Sequence, residues 1–243
     1  MNVLERLDKI VDDFSHRVGI MNEPMTKERA FMFVRQHRLN TRFRNSVLKL
    51  AVATNTPDWD LRMKIIASSA QEIIADHEFG GGKPHWEILE DLGVAIGLDR
   101  ADIQAEAPIP STRIAWLAWE ALMKNRHWLE GLVANTCAER TNIPGYGIGA
   151  VKQYGWFGAE RFRFRDLFGL ADEQLGFFKL HTEADIEHSN LGWQTVAERA
   201  AKLGMEDAAV EAARLNLMVW ETYLNGIAAA GDDLAAGRSI PTL

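Results

Sequence analysis

An all-α fold is what this sequence predicts, and three observations lead there. Nearly every long segment spaces its apolar residues at helical rather than alternating intervals, and no β-branched run between turn signals reads as a strand. The third is composition: 47% hydrophobic and 25% charged residues over 243 positions suit a packed core rather than disorder. Helices are expected at about 2–18, 26–54, 58–78, 84–97, 111–140, 146–156, 159–168, 171–190, 192–203 and 206–230.

The elements follow in order. The opening MNVLERLDKIVDDF is amphipathic, and its acidic residues interrupt the apolar run that a secretory signal requires. Within 26–54, Phe31, Phe33, Val34 and Leu39 form an apolar side, while Arg35, His37, Arg38, Arg42 and Arg44 read as a solvated face. Thr56-Pro57-Asp58 ends that helix and caps the next. Gly80-Gly81-Gly82 and Pro84 break the chain again, and Ala107-Pro108-Ile109-Pro110-Ser111-Thr112 is a rigid entry to the helix at 111–140. No Gly-, Ser- or Pro-rich linker and no internal repeat divides the chain, so 1–243 is expected to be one domain.

Several classes of function drop out. A single cysteine forms no internal disulfide, and no apolar stretch approaches the roughly 18 residues of a membrane-spanning helix. A net charge of -7 offers no general attraction for nucleic acid. The expectation is a cytoplasmic protein that acts on a small molecule, without nucleic-acid or membrane partners. Exposed apolar helix edges suggest a homodimer.

The most informative segment is His181-Thr182-Glu183-Ala184-Asp185-Ile186-Glu187-His188. At 100° per residue, His181, Asp185 and His188 fall on one helical stripe, so two imidazoles and a carboxylate point the same way. That donor set suits iron, manganese or zinc. A solvated polar face is the bland reading, but Leu180, Ala184 and Phe177-Phe178 suggest a packed helix, where a bare carboxylate is costly and a metal relieves the cost. A second cluster spans Asp76 to Trp86: Glu78 and His85 flank the glycine hinge, so both can converge on one point, or Glu78 is exposed and His85 only caps. Glu72 and His37 stand as reserves. The helix at 111–140 offers Glu120, Glu130 and Glu139, of which Glu139, beside Cys137 and Ala138, has the least polar surroundings. Trp116, Trp119, Trp128 and Trp156 read as core, with an apolar tunnel as the alternative.

Glu78-(x6)-His85, then Glu139, then His181-(x3)-Asp185-(x2)-His188 resembles the ligand order of the haem-oxygenase-like di-iron oxidases and oxygenases. Pro84-His85-Trp86-Glu87 and the stretch from Leu175 to His181 are also similar to that family. The resemblance covers most of the chain. It implies a haem-oxygenase-like seven-helix bundle that binds two Fe(II) ions, with O2 as co-substrate and an external electron donor as a possible partner. It also implies metal ligation by Glu78, His85 and Glu139 on one side and His181, Asp185 and His188 on the other, with Glu139 bridging. Members oxidise small metabolites, so N-oxygenation of a small amine or amino-azole is the first expectation and oxidative C–C cleavage of an amino or fatty acid the second. Two rivals are similar in fold: thiaminase II-like enzymes, for which Cys137 would be the nucleophile, and metal-free pyrroloquinoline-quinone synthases. A binding protein without turnover is a further alternative.

Overall fold

The computed structural model describes the backbone of residues 1–242 and the side chains of residues 1–182 and 192–242. Its long helices are α1 (Val3–Arg17), α2 (Lys27–Phe43), α3 (Trp59–Ile73), α4 (His85–Ala95), α5 (Pro110–Asn125), α6 (Trp128–Thr136), α7 (Trp156–Phe168), α8 (Gly176–Leu203) and α9 (Glu206–Ala235). Among the described residues there is no strand, and no helix is long and apolar enough to cross a membrane.

Local chemistry sets the boundaries. Asn2 and Glu5 close a capping box on α1, Thr26 caps α2, and Asp58 caps α3 through the Leu61 N–H. Three expectations are corrected. The helix foreseen at 111–140 is three pieces, because His127 and Glu130 form a capping box that starts α6 afresh, and a 3-10 turn, Glu139–Asn142, follows it. The helices foreseen at 171–190 and 192–203 are one, since nothing between them breaks a helix. The helix foreseen to reach 78 stops at Ile73. A short helix at Arg100–Ala105, capped by Asp99, was not anticipated.

The core gathers around α9, which packs against α1, α2, α5 and α6; α8 lies against α4, α6 and α7. Small residues of α9 let neighbours approach closely: Ala209, Ala212, Ala213 and Gly231 are all buried, and a Cβ at Gly231 would sit 2.6 Å from the Arg29 Cα. Of the face expected to be solvated, Arg42 is exposed and Arg35 half-buried. His37, Arg38 and Arg44 are buried, because α4 and α9 pack on that face too. Arg38 is neutralised by buried Glu90 at 2.8 Å, which Arg100 and Gln104 also contact.

Beyond Phe43 the helix continues as a π-helical stretch, Arg44–Lys49, before returning to α-geometry at Leu50–Asn55. In an α-helix positions 44 and 49 would face about 140° apart; the wider π turn brings i and i+5 towards one side.

Candidate metal centre

Where α3 ends, Asp76 organises the loop. Its Oδ1 accepts the backbone N–H groups of Glu78 and Phe79, each at 2.9 Å, and its backbone pairs with Lys83 across the turn. Gly80 makes the tight return possible, since a Cβ there would meet the Lys83 carbonyl at 2.9 Å and the Asp76 Cβ at 2.8 Å. The loop delivers His85 to the first turn of α4, buried, with its Nε2 2.9 Å from Asp76 Oδ2.

His85 Nδ1 looks the other way and lies 2.8 Å from Glu72 Oε2, in the last turn of α3. Glu72 and His85 therefore form a largely buried ion pair through Nδ1, while Asp76 holds the opposite ring nitrogen. Asn45, from the π-helical stretch, donates to the same Glu72 oxygen at 3.2 Å. His181 completes the group from α8. Its Nδ1 is 2.8 Å from the Phe177 carbonyl, which holds the proton on Nδ1 and frees Nε2. The His85 and His181 ring centroids are 5.1 Å apart, and Phe157 and Phe177 wall the His181 ring. One donor atom each from Glu72, His85 and His181 lies within 4.8 Å of the others.

The electrostatics of this group are those of a proton and charges held in a dry place. Burial lowers the His85 pKa, yet Glu72 and Asp76 outweigh it and raise it to about 9. Burial pushes Glu72 upward, but His85, then Lys49 and His181, bring its carboxyl well below the usual carboxylate range. Burial and the His85 charge push His181 down to about 4, and burial, with His181, pushes His37 down to about 3, so both are neutral imidazoles at neutral pH.

A cleft opens beside the cluster, lined by Glu72, His181, Glu139, His37, Arg44 and Trp220 among others. The structure thus separates the expected ligands. His85 and His181 come together, and Glu139 borders the same cleft, 3.9 Å from the buried Lys49 ammonium. Glu78 does not join them: the Asp76 turn leaves it on the exposed side of the loop, and Glu72 stands beside His85 instead. The side chains of Asp185 and His188 lie outside the described residues. His37 lines the cleft but stacks on Phe33 at 4.9 Å, with Tyr223 Oη 3.5 Å from its Nδ1. Glu120 pairs with Lys124, and Glu130 with Arg126, away from the cluster. Trp156 borders the cleft, whereas Trp119 is core and Trp116 stacks on Phe43. Buried Cys137 has its thiol pushed up to about 12 by burial, so it carries no thiolate at neutral pH.

Sequence reasoning missed Asp76 as the partner of His85 and ranked Glu72 second. The signal was present: Asp two and three residues ahead of Glu78 and Phe79, before three glycines, is an Asx turn that stops a helix early. An early stop puts Glu72 in the last turn of α3.

The donor chemistry fits iron. Two imidazoles each expose one unprotonated nitrogen when neutral, a carboxylate faces them, and an aspartate orients the far nitrogen of His85, as metal-bound histidines require. Donors each about 2.1 Å from one ion sit ~3–4 Å apart, so a 4.8 Å spread closes with small side-chain rotations.

A helical bundle with a largely buried histidine–carboxylate cluster beside a cleft defines the class: an α-helical protein with a candidate metal site. The comparisons specify it. The family model described as "Iron-containing redox enzyme" matches residues 32–221, and the chain belongs to that family. The structure is similar to a solved domain of unknown function with a heme oxygenase-like fold from Shewanella denitrificans OS217, at 16% identity, covering 99% of this chain and 95% of that one with a TM-score of 0.72. The fold is therefore haem-oxygenase-like and the role that of an iron-containing oxidoreductase. No curated protein matches the chain.

Proposed function

We propose that the protein is a non-haem di-iron oxygenase that uses O2 to oxidise a small polar metabolite, by N-oxygenation of a small amine or amino-azole. The observation that carries the reading is the convergence of Glu72, His85 and His181, whose donor atoms lie within 4.8 Å of one another, with His85 held from behind by Asp76. Glu72, His85, Glu139 and His181 are the described residues that would hold iron, with Asp185 and His188 assigned by the sequence pattern. Bound iron would supply one-electron chemistry and a place for O2.

The chain's own contribution is arrangement. Asp76 fixes the His85 ring through Nε2, so that Nδ1 faces Glu72 and the cluster. The Phe177 carbonyl does the same for His181. Asn45 keeps one Glu72 oxygen directed inward. Phe157 and Trp156 present apolar surface to the cleft and Phe177 walls the His181 ring, an arrangement that would keep water from a bound metal. Lys49, buried and hydrogen-bonded to Ser68, offsets the charge of Glu139.

The test is anaerobic Fe(II) loading followed by O2 exposure with a panel of small amines and amino acids. The expected result is about two irons per chain, O2 uptake accelerated by particular amines, and loss of iron loading in His188→Ala. Protein that takes up no iron under reconstitution, or a His188→Ala variant that loads normally, overturns the reading.

A further inference from the structure

Arg44 is buried to 93% and borders the cleft, yet most of its hydrogen-bonding capacity is idle. Its Nη2 donates to the Ala134 carbonyl at 2.6 Å, while Nε has no acceptor. Among the described residues no carboxylate pairs with it; Glu72 and Glu139 act on it only at longer range. Its guanidinium lies over the rings of Trp220 and Trp119, 5.4 and 5.6 Å from their centroids. Both indole N–H groups are themselves buried without an acceptor. Stacking on two rings attracts a cation but satisfies none of its N–H groups. A buried charge with unused donors at the border of a cleft calls for an anion with planar acceptors, and a carboxylate matches the guanidinium fork.

We propose that Arg44, with the indole N–H of Trp220, is a carboxylate-binding subsite in the cleft, so that the substrate is a small carboxylic acid whose other end lies towards Glu72 and His181. This rests on the reading of the cleft as the substrate site of the oxidase. The π-helical stretch supports it, because the same turn carries Arg44 to the cleft, Asn45 to Glu72 and Lys49 towards Glu139, coupling the acid end of a ligand to the ligands of the metal.

The experiment titrates Fe(II)-loaded, anaerobic protein with benzoate, octanoate and β-alanine, each against its primary amide, following tryptophan fluorescence and calorimetric heat. At least one acid is expected to bind about tenfold or more tighter than its amide, the range of a charge-assisted hydrogen bond. Arg44→Gln is expected to erase that preference while keeping the wild-type iron content. Trp220→Phe, which keeps a ring and removes the N–H, is expected to narrow it. No preference in the wild type, or an undiminished preference in Arg44→Gln, overturns the subsite. If Arg44→Gln does not fold, Trp220→Phe decides, and an unchanged preference there overturns it. Protein that selects acids but never binds iron keeps the subsite and removes the oxidase; protein that binds iron without selecting acids does the reverse.

Discussion

Asp76 does two jobs with one carboxylate. Oδ1 closes the turn that ends α3, and Oδ2 holds His85 in position. Removing the charge while keeping the shape separates these roles: Asp76→Asn is expected to lower Fe(II) affinity by about 10- to 100-fold, read by titration with a competing chelator. Unchanged affinity would show that Asp76 serves the turn alone. Glu72 and Glu78 give a second test at the same scale. Glu72→Gln is expected to reduce bound iron substantially, whereas Glu78→Gln, altered on the exposed side of the loop, is expected to leave iron content as in the wild type. The reverse pattern in metal analysis would restore Glu78 as the ligand.

At the level of elements, the site is made by interruptions of helices more than by helices. The π-helical stretch turns Arg44, Asn45 and Lys49 inward, and the loop after α3 brings Glu72 and His85 together. The 3-10 turn at Glu139–Asn142 is fixed by its neighbour Gly155, the N-cap of α7, whose φ is +74°. A Cβ there would lie 1.8 Å from the Asn142 carbonyl oxygen, against backbone that has nowhere to move. Gly155→Ala is therefore expected to destabilise the protein by about 3 kcal/mol or more, combining a left-handed backbone with a steric clash. Urea unfolding measures it, and a loss below about 1 kcal/mol would mean that the turn yields easily. These interruptions also explain what was legible beforehand. Caps such as Asp58, and the glycine run, declare themselves in sequence. The π-helix does not, because its residues are ordinary helix formers and the widening answers to packing around Arg44 and Lys49.

Across the molecule, one buried acid sets a pH response. Glu160 on α7 accepts from Trp156 Nε1 and Arg163, and Arg163 also donates to the carbonyls of Ile20 and Met21, tying α7 to the turn after α1. Burial pushes the Glu160 carboxyl up to about 7, although Arg163 and Trp156 pull it down. The folded state therefore holds a proton that the unfolded chain releases earlier. Its contribution is fully present below the ordinary carboxylate value of 4.5 and disappears as pH rises through about 7. Relative to Glu160→Gln, the wild type is expected to lose on the order of 2–3 kcal/mol between about pH 5 and pH 8, checked by unfolding at a series of pH values. A pH-independent gap between the two would refute it.

The helical class was readable from residue order, because periodicity is a local property, and it was the resemblance to the haem-oxygenase-like family that put His85 and His181 in one ligand set. The approach of Glu72 rather than Glu78 to His85, the contact of Asp76 with His85 and the burial of His37, Arg38 and Arg44 were not readable. Each depends on which face of a helix a distant segment covers. On α2 and its continuation His37, Arg38 and Arg44 look solvated until packing covers them, and a carboxylate's partner is settled by the path of a loop. Spacing along a chain specifies which side chains can share a face, but burial and convergence arise only when elements far apart in sequence pack together.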